Sequence, residues 1–185
     1  MRIVGGELRG RKLATPKSDA IRPTTDRVRE TLFNILAHNY GSGIEDARVL
    51  DLFSGTGALG IEALSRGASY ALFVDNGIEG RSLTRQNTMD LNLQGCSKIY
   101  RRDATRMGPP EKDKPFNLLF ADPPYGRGLG EAAILSCVSA GWLADGALIV
   151  LEEKIDHQPK YINRCELLEQ RQFADTEIGI WRYSP

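Results

Sequence analysis

Asp122-Pro123-Pro124-Tyr125 directly follows an unbroken apolar run, Phe116–Ala121. Its two prolines stiffen the backbone and remove two N–H donors. The segment therefore offers mainly acceptors, the Asp122 carboxylate and the Pro123 carbonyl. Tyr125 adds a planar face on which a base can stack. An aromatic exocyclic amine is a poor nucleophile, because its lone pair is conjugated with the ring. Two acceptors gripping its two N–H bonds can turn the nitrogen toward tetrahedral geometry. They also stabilise the positive charge that grows as it attacks an electrophile. The bland alternative for Pro-Pro-Tyr is a rigid turn or a peptide ligand. Its place after a buried strand, downstream of a glycine loop, favours the chemical reading. Asp122, Pro123, Pro124 and Tyr125 are the candidate catalytic set.

That glycine loop is Gly55-Thr56-Gly57-Ala58-Leu59-Gly60, with Asp75 twenty residues after Gly55. Formally this is the dinucleotide fingerprint. The charges argue otherwise. A diphosphate sits on the helix N-terminus and wants no carboxylate beside it, yet Asp51 lies four residues before Gly55. A ligand with a cationic amino-acid end, a ribose and no phosphate fits better, and S-adenosylmethionine (SAM) is such a ligand. The glycines let backbone approach its methionine part. Asp51 can accept from the ammonium through the loop, directly or by water. Asp75 suits the ribose hydroxyls, and Asp103 suits the exocyclic amine of adenine. Phe53 and Ala104 complete the candidate cofactor set of Asp51, Phe53, Gly55, Gly57, Asp75, Asp103 and Ala104. The sulfonium carries its own leaving group, so no metal is required.

These residues need elements that bring them together. Val49–Phe53, Tyr70–Val74, Ile99-Tyr100, Phe116–Ala121 and Ala147–Leu151 read as strands. Ala58–Ser65, Ile78–Leu91 and Ala132–Ala140 read as helices between them. Near-continuous apolar strands alternating with helices predict a Rossmann-like, doubly wound, mostly parallel α/β sheet covered on both faces. In such sheets ligands bind beyond the carboxyl ends of the strands, where Asp51, Asp75, Asp103 and Asp122 fall. Arg164–Gln172 and Thr176–Tyr183 predict an antiparallel pair at one edge. Upstream, Thr24 or Thr25 caps a helix whose apolar face is Val28, Leu32, Ile35 and Leu36. Arg27 and Arg29 are expected to flank that face and reach outward.

The chain has 185 residues and a formal net charge of zero, with 41% hydrophobic and 26% charged residues. This is the composition of a globular domain able to bury its own core. It excludes collagen, coiled coil and extended disorder. No apolar run is long enough to span a membrane, and the first twelve residues lack the apolar core of a signal peptide. Three widely spaced cysteines suggest neither a disulfide framework nor a zinc knuckle. His38, His157, Trp142 and Trp181 read as ordinary surface or packing residues. The zero charge hides an asymmetry, since residues 1–30 hold eight basic residues against four acidic ones. Residues 1–23 are thus read as a basic arm or hairpin attached to a catalytic domain, 24–185. Such an arm fits a polyanion.

Beyond these readings, Asp51–Gly57 and Asp122–Tyr125, in this order, resemble the class I SAM-dependent amino-methyltransferases. Met1–Gly6, Arg9–Leu13, Arg22-Pro23-Thr24, Asp26–Glu30 and Gly60–Ala68 resemble the bacterial RsmD-type 16S ribosomal RNA guanine-N2 methyltransferases. The resemblance covers nearly the whole chain and is weakest from about residue 155. One departure is Asp75-Asn76-Gly77, where relatives often carry a longer acid. The resemblance implies a cytoplasmic enzyme, expected to be monomeric, that methylates the N2 amine of a guanine. Its partner would be 16S rRNA or a small ribosomal subunit particle. Arg2, Arg9, Arg11, Lys12, Arg22 and Arg27 would contact RNA phosphates, part of the arm ordering only on binding. Three rivals stand beside it: a DNA adenine-N6 methyltransferase, a non-catalytic ribosome assembly factor, and a NAD-dependent oxidoreductase resting on the glycines alone.

Overall fold

A computed structural model describes residues 1–16, 25–41 and 43–185. Helix α1 spans Asp26–Asn39, and the Thr25 side chain caps it by accepting from the Val28 N–H at 3.3 Å. The strands are β1 (Arg48–Leu52), β2 (Tyr70–Val74), β3 (Ser97–Tyr100), β4 (Phe116–Ala121), β5 (Leu143–Lys154), β6 (Cys165–Phe173) and β7 (Thr176–Tyr183). Between them lie α2 (Ala58–Ser65), α3 (Ile78–Asp90) and α4 (Leu129–Ala140). One seven-stranded sheet has the order β3-β2-β1-β4-β5-β7-β6. Strands β1 to β5 are parallel, and β7 runs antiparallel between β5 and β6. The doubly wound sheet with its antiparallel C-terminal pair is the architecture read from the sequence.

Alternation along each strand sorts side chains between two cores. Val49, Phe73, Phe120 and Val150 join Leu32, Phe33 and Leu36 of α1 and Ile61 of α2 on one face. Leu50, Leu72, Leu119 and Ile149 join Ile134 and Cys137 of α4 on the other. Trp142 and Trp181 are fully buried in this second core, as packing residues. Continuing the alternation one step places Asp51, Asp75, Asp122 and Glu152 on the first face, at the carboxyl ends of four strands. The crossover from β3 to β4 brings β4 against β1, so the two sequence motifs meet at the centre of the sheet.

The largest differences in extent from the sequence reading are in β5 and α4. Strand β5 runs on through Glu152, Glu153 and Lys154, because these polar residues pair with Ile178, Glu177 and Thr176 of β7. Helix α4 starts at Leu129, three residues before the expected Ala132. Gly128, at φ 64°, supplies its left-handed N-cap.

Arg29 contradicts the expectation that it reaches outward. It is fully buried, bridges Asp26 at 2.9 Å and donates to the Arg2 carbonyl. Its spacing puts it on the apolar side of α1, and the arm covers it there. Residues 1–16 form the expected hairpin, with Ile3 N–H donating to the Arg11 carbonyl at 3.0 Å and Gly10 N–H to the Ile3 carbonyl at 2.9 Å. Ile3 and Leu13 enter the first core. The Val4 N–H donates to Glu62, the Leu8 N–H to Ser65, and the Ala14 N–H to Asn87. This part of the arm is therefore built into the body, unlike the segment expected to order only on RNA. Two apolar side chains and a row of backbone bonds anchor it.

Candidate active site

The turn after β1 is held in a conformation that few sequences tolerate. Phe53, Gly55 and Gly57 all lie in the left-handed region, at φ 56°, 53° and 76°. The Ser54 N–H donates to the Val74 carbonyl at 3.1 Å and the Gly57 N–H to the Ser54 carbonyl at 2.6 Å. Glycine at 55 and 57 removes the steric cost, whereas half-buried Phe53 carries it, a mark of functional turns. The third glycine serves packing instead. A Cβ on Gly60 would overlap the Phe73 ring and lie 3.0 Å from Asp51 Oδ2.

Asp51 is buried, and its Oδ2 accepts from the Gly60 N–H at 2.9 Å. Burial pushes its carboxyl up to about 8; the Gly60 N–H opposes the rise and Asp75 adds to it. The Asp51 carboxyl thus takes up an N–H of the first turn of α2, a donor that a diphosphate would need in a NAD enzyme. The oxidoreductase reading fails on that geometry. Asp75 takes backbone donors on both oxygens, Gly77 N–H on Oδ1 at 2.7 Å and Gly55 N–H on Oδ2 at 2.9 Å. It is a clamp on the glycine loop as well as a candidate ribose acceptor. Asp103 is exposed and caps the 3-10 turn Ala104–Arg106, accepting from Thr105 N–H and Oγ1. Those bonds hold its carboxyl below the usual range, so it is an anion at neutral pH. Ala104 is buried beneath it.

These residues fit SAM. The Ser54 hydroxyl is buried at the loop with no hydrogen-bond partner among the described residues, so a polar group is left over for a ligand. Asp51 lies below the loop, and Asp75 and Asp103 follow β2 and β3 in order along the sheet. No group of three or more His, Cys, Asp or Glu among the described residues could hold a metal ion.

One strand across from β1, Asp122 is half-buried, Pro123 buried, Pro124 exposed and Tyr125 half-buried. Gly130 of α4 lets this loop sit close, since a Cβ there would overlap Leu151 and lie 3.2 Å from Pro123. Two residues that the sequence reading missed hold the loop from β5. The Tyr125 hydroxyl donates to Glu152 Oε1 at 2.8 Å, and the Gly126 N–H donates to Glu153 Oε1 at 2.8 Å. Their signal was available, because Glu152-Glu153 closes an apolar strand as Asp75 and Asp122 close theirs. Asn87 was also missed. It takes the Ala14 N–H at 2.7 Å and donates to the Thr56 carbonyl at 2.9 Å, tying the arm to the glycine loop. A lone mid-helix Asn carries no such signal.

Of the basic candidates, Arg2, Arg9, Arg11, Lys12 and Arg27 are exposed. Arg11 also donates to the Asp90 carbonyl at the end of α3, at 3.1 Å. Arg22 lies outside the described residues.

Known structures carry the same fold. The solved chain of yhhF from Escherichia coli superposes with a TM-score of 0.84 at 36% identity, covering 100% of this chain and 98% of that one. A Thermus thermophilus 16S rRNA N2 methyltransferase, solved with AdoMet and guanosine, shares the fold with a TM-score of 0.67 at 15% identity, over 90% of this chain and 45% of that one. Fold and similarity together define a Rossmann-like methyltransferase. Ribosomal RNA small subunit methyltransferase D of Escherichia coli (strain K12) is 44% identical over 159 residues, spanning 85% of this chain and 76% of that protein. The model of the family described as Conserved hypothetical protein 95 matches residues 1–182, and the chain belongs to that family.

Proposed function

We propose that this chain methylates small-subunit ribosomal RNA with SAM, at the exocyclic N2 amine of a guanine. The rRNA substrate follows the relatives named ribosomal RNA small subunit methyltransferase D. The observation that carries the amine chemistry is the placement of Asp122–Tyr125 on the sheet face that holds Asp51 and Asp75, one strand from the glycine loop.

Bound SAM supplies an electrophilic methyl on a good leaving group. Asp51, Ser54, Gly55, Gly57, Asp75 and Asp103 are the residues that would hold it. The protein's part is positioning and charge. The Asp122 carboxylate and Pro123 carbonyl accept the two amine N–H bonds and localise the lone pair on nitrogen. They stabilise the cation that develops there, at the atom where preorganised dipoles count most. Tyr125, held by Glu152, stacks on the base. Holding amine and methyl in line supplies much of the remaining rate. The base must leave its stack to enter this cup. The exposed arm, Arg2, Arg9, Arg11, Lys12 and Arg27, contacts phosphates and gives affinity without sequence information. Ribosomal RNA as substrate places the reaction in the cytoplasm.

The test is to incubate the protein with radiolabelled SAM and small-subunit particles from cells lacking it, beside duplex DNA. The label is then mapped by nuclease digestion and mass spectrometry. The expected product is a single N2-methylguanine in the small-subunit RNA. Label on adenine N6 of the DNA would support the DNA enzyme, and transfer to neither would support the assembly factor.

A further inference from the structure

We infer that Glu152 is the specificity-determining residue that selects guanine over other bases bearing an exocyclic amine. This inference rests on the guanine-N2 reading and deepens it. The Asp122–Tyr125 cup recognises an amine and not the ring that carries it. Adenine, cytosine and guanine all offer one. They differ beside it. The amines of adenine N6 and cytosine N4 neighbour ring nitrogens with lone pairs, whereas the guanine N2 amine neighbours N1–H, a donor. A carboxylate beside the amine grip accepts N1–H and repels a lone pair. It therefore selects guanine by attraction and rejects the others by repulsion.

Glu152 stands at that place. Ala121 of β4 pairs in register with Leu151 of β5, so the next residues, Asp122 and Glu152, are neighbours across the sheet edge. Parallel strands run about 4.8 Å apart, so side chains on the two strands can reach neighbouring edge atoms of one base. Both residues continue the same face, as Phe120 and Val150 precede them in one core. Glu152 is only 6% exposed, and its Oε1 accepts from the Tyr125 hydroxyl at 2.8 Å. That bond shows the carboxylate to lie beside the tyrosine on which the base would stack. A carboxylate offers about four lone-pair positions, so it can hold Tyr125 and a base together.

The test compares guanine with 2-aminopurine, which carries the same 2-amino group but a lone pair at N1. The guanine labelled by the wild-type protein is first mapped, then replaced by 2-aminopurine in a ligated RNA assembled into the particle. If the wild type labels no guanine N2, the functional reading fails before Glu152 is tested. Given that label, wild type should prefer guanine by about 10- to 100-fold, the worth of a hydrogen bond to a charged group. Glu152→Gln places an amide that can donate to N1, so the preference should fall to near unity or invert, with SAM affinity by calorimetry unchanged. Tyr125→Phe removes the hydroxyl that holds Glu152 and separates the two roles. It should slow transfer on both bases and leave the preference standing. If Glu152→Gln keeps the wild-type preference, or if Tyr125→Phe abolishes it equally, Glu152 acts only through Tyr125 and the inference is overturned.

Discussion

At the scale of single residues, the site uses carboxylates in three electrostatic conditions. Asp103 is solvated and capped, and its carboxyl is held low. Asp75 is clamped by two backbone N–H groups. Asp51 is buried, and its carboxyl is pushed up to about 8. The sign of its effect follows from linkage. Between the ordinary carboxylate range and pH 8 the folded state binds a proton that the unfolded state has lost. Stability therefore falls as pH rises through that window and levels above it. Asp51→Asn should flatten this part of a pH–stability curve, measured by thermal melting. A cationic ligand end near Asp51 favours its ionised form, so SAM binding should release a proton below pH 8. Calorimetry in buffers of different ionisation heat reads that release, and its absence would remove Asp51 from the cofactor site. Asp122→Ala deletes half of the amine grip. Methyl transfer should drop by about 10³-fold while SAM affinity stays within twofold, in line with losses on removing a charge-stabilising group. Near-normal turnover by that variant would show that the grip is not the source of catalysis.

At the scale of elements, close packing of α2 on β2 decides how far the glycine loop reaches. Helix propensity alone says that Gly60→Ala stabilises by about 1 kcal/mol. The Phe73 ring and Asp51 occupy the space that the methyl would need. The expected result is a loss of about 1–3 kcal/mol, typical of overpacking, read as a lower midpoint in urea. SAM affinity should fall with it, because the Asp51–Gly60 bond aligns the loop. A stabilised variant would mean that α2 can shift away from the sheet. Secondary structure near this loop was legible, because apolar strands ending in Asp and glycine turns are local signals. The ends of β5 and α4 were not. Glu152–Lys154 are strand only because β7 pairs with them, and a partner 22 to 26 residues away leaves no local trace.

At the scale of the whole molecule, charge is distributed by fold. The hairpin carries exposed Arg2, Arg9, Arg11 and Lys12 and is joined through Asn87 to the glycine loop. If these cations pair with phosphates, replacing Arg9, Arg11 and Lys12 together with Ala should weaken RNA binding. It should also lower the slope of log affinity against log salt by about 2 to 3. Turnover at saturating RNA should change little. A slope equal to that of the wild type would place the RNA on another surface.

The amino-acid sequence by itself determined which chemistry is present. Proline, glycine and carboxylate at fixed spacing limit local backbone shape, donors and charge whatever surrounds them. The tertiary structure alone decided the company these groups keep. Arg29 read as an outward cation but is buried, because the arm folds back over α1. Glu152 follows an apolar strand with nothing local to name its partner, and it holds Tyr125 because β5 lies beside β4. Contacts between strands distant in sequence depend on the order in which the sheet is wound, and no short stretch of residues encodes that order.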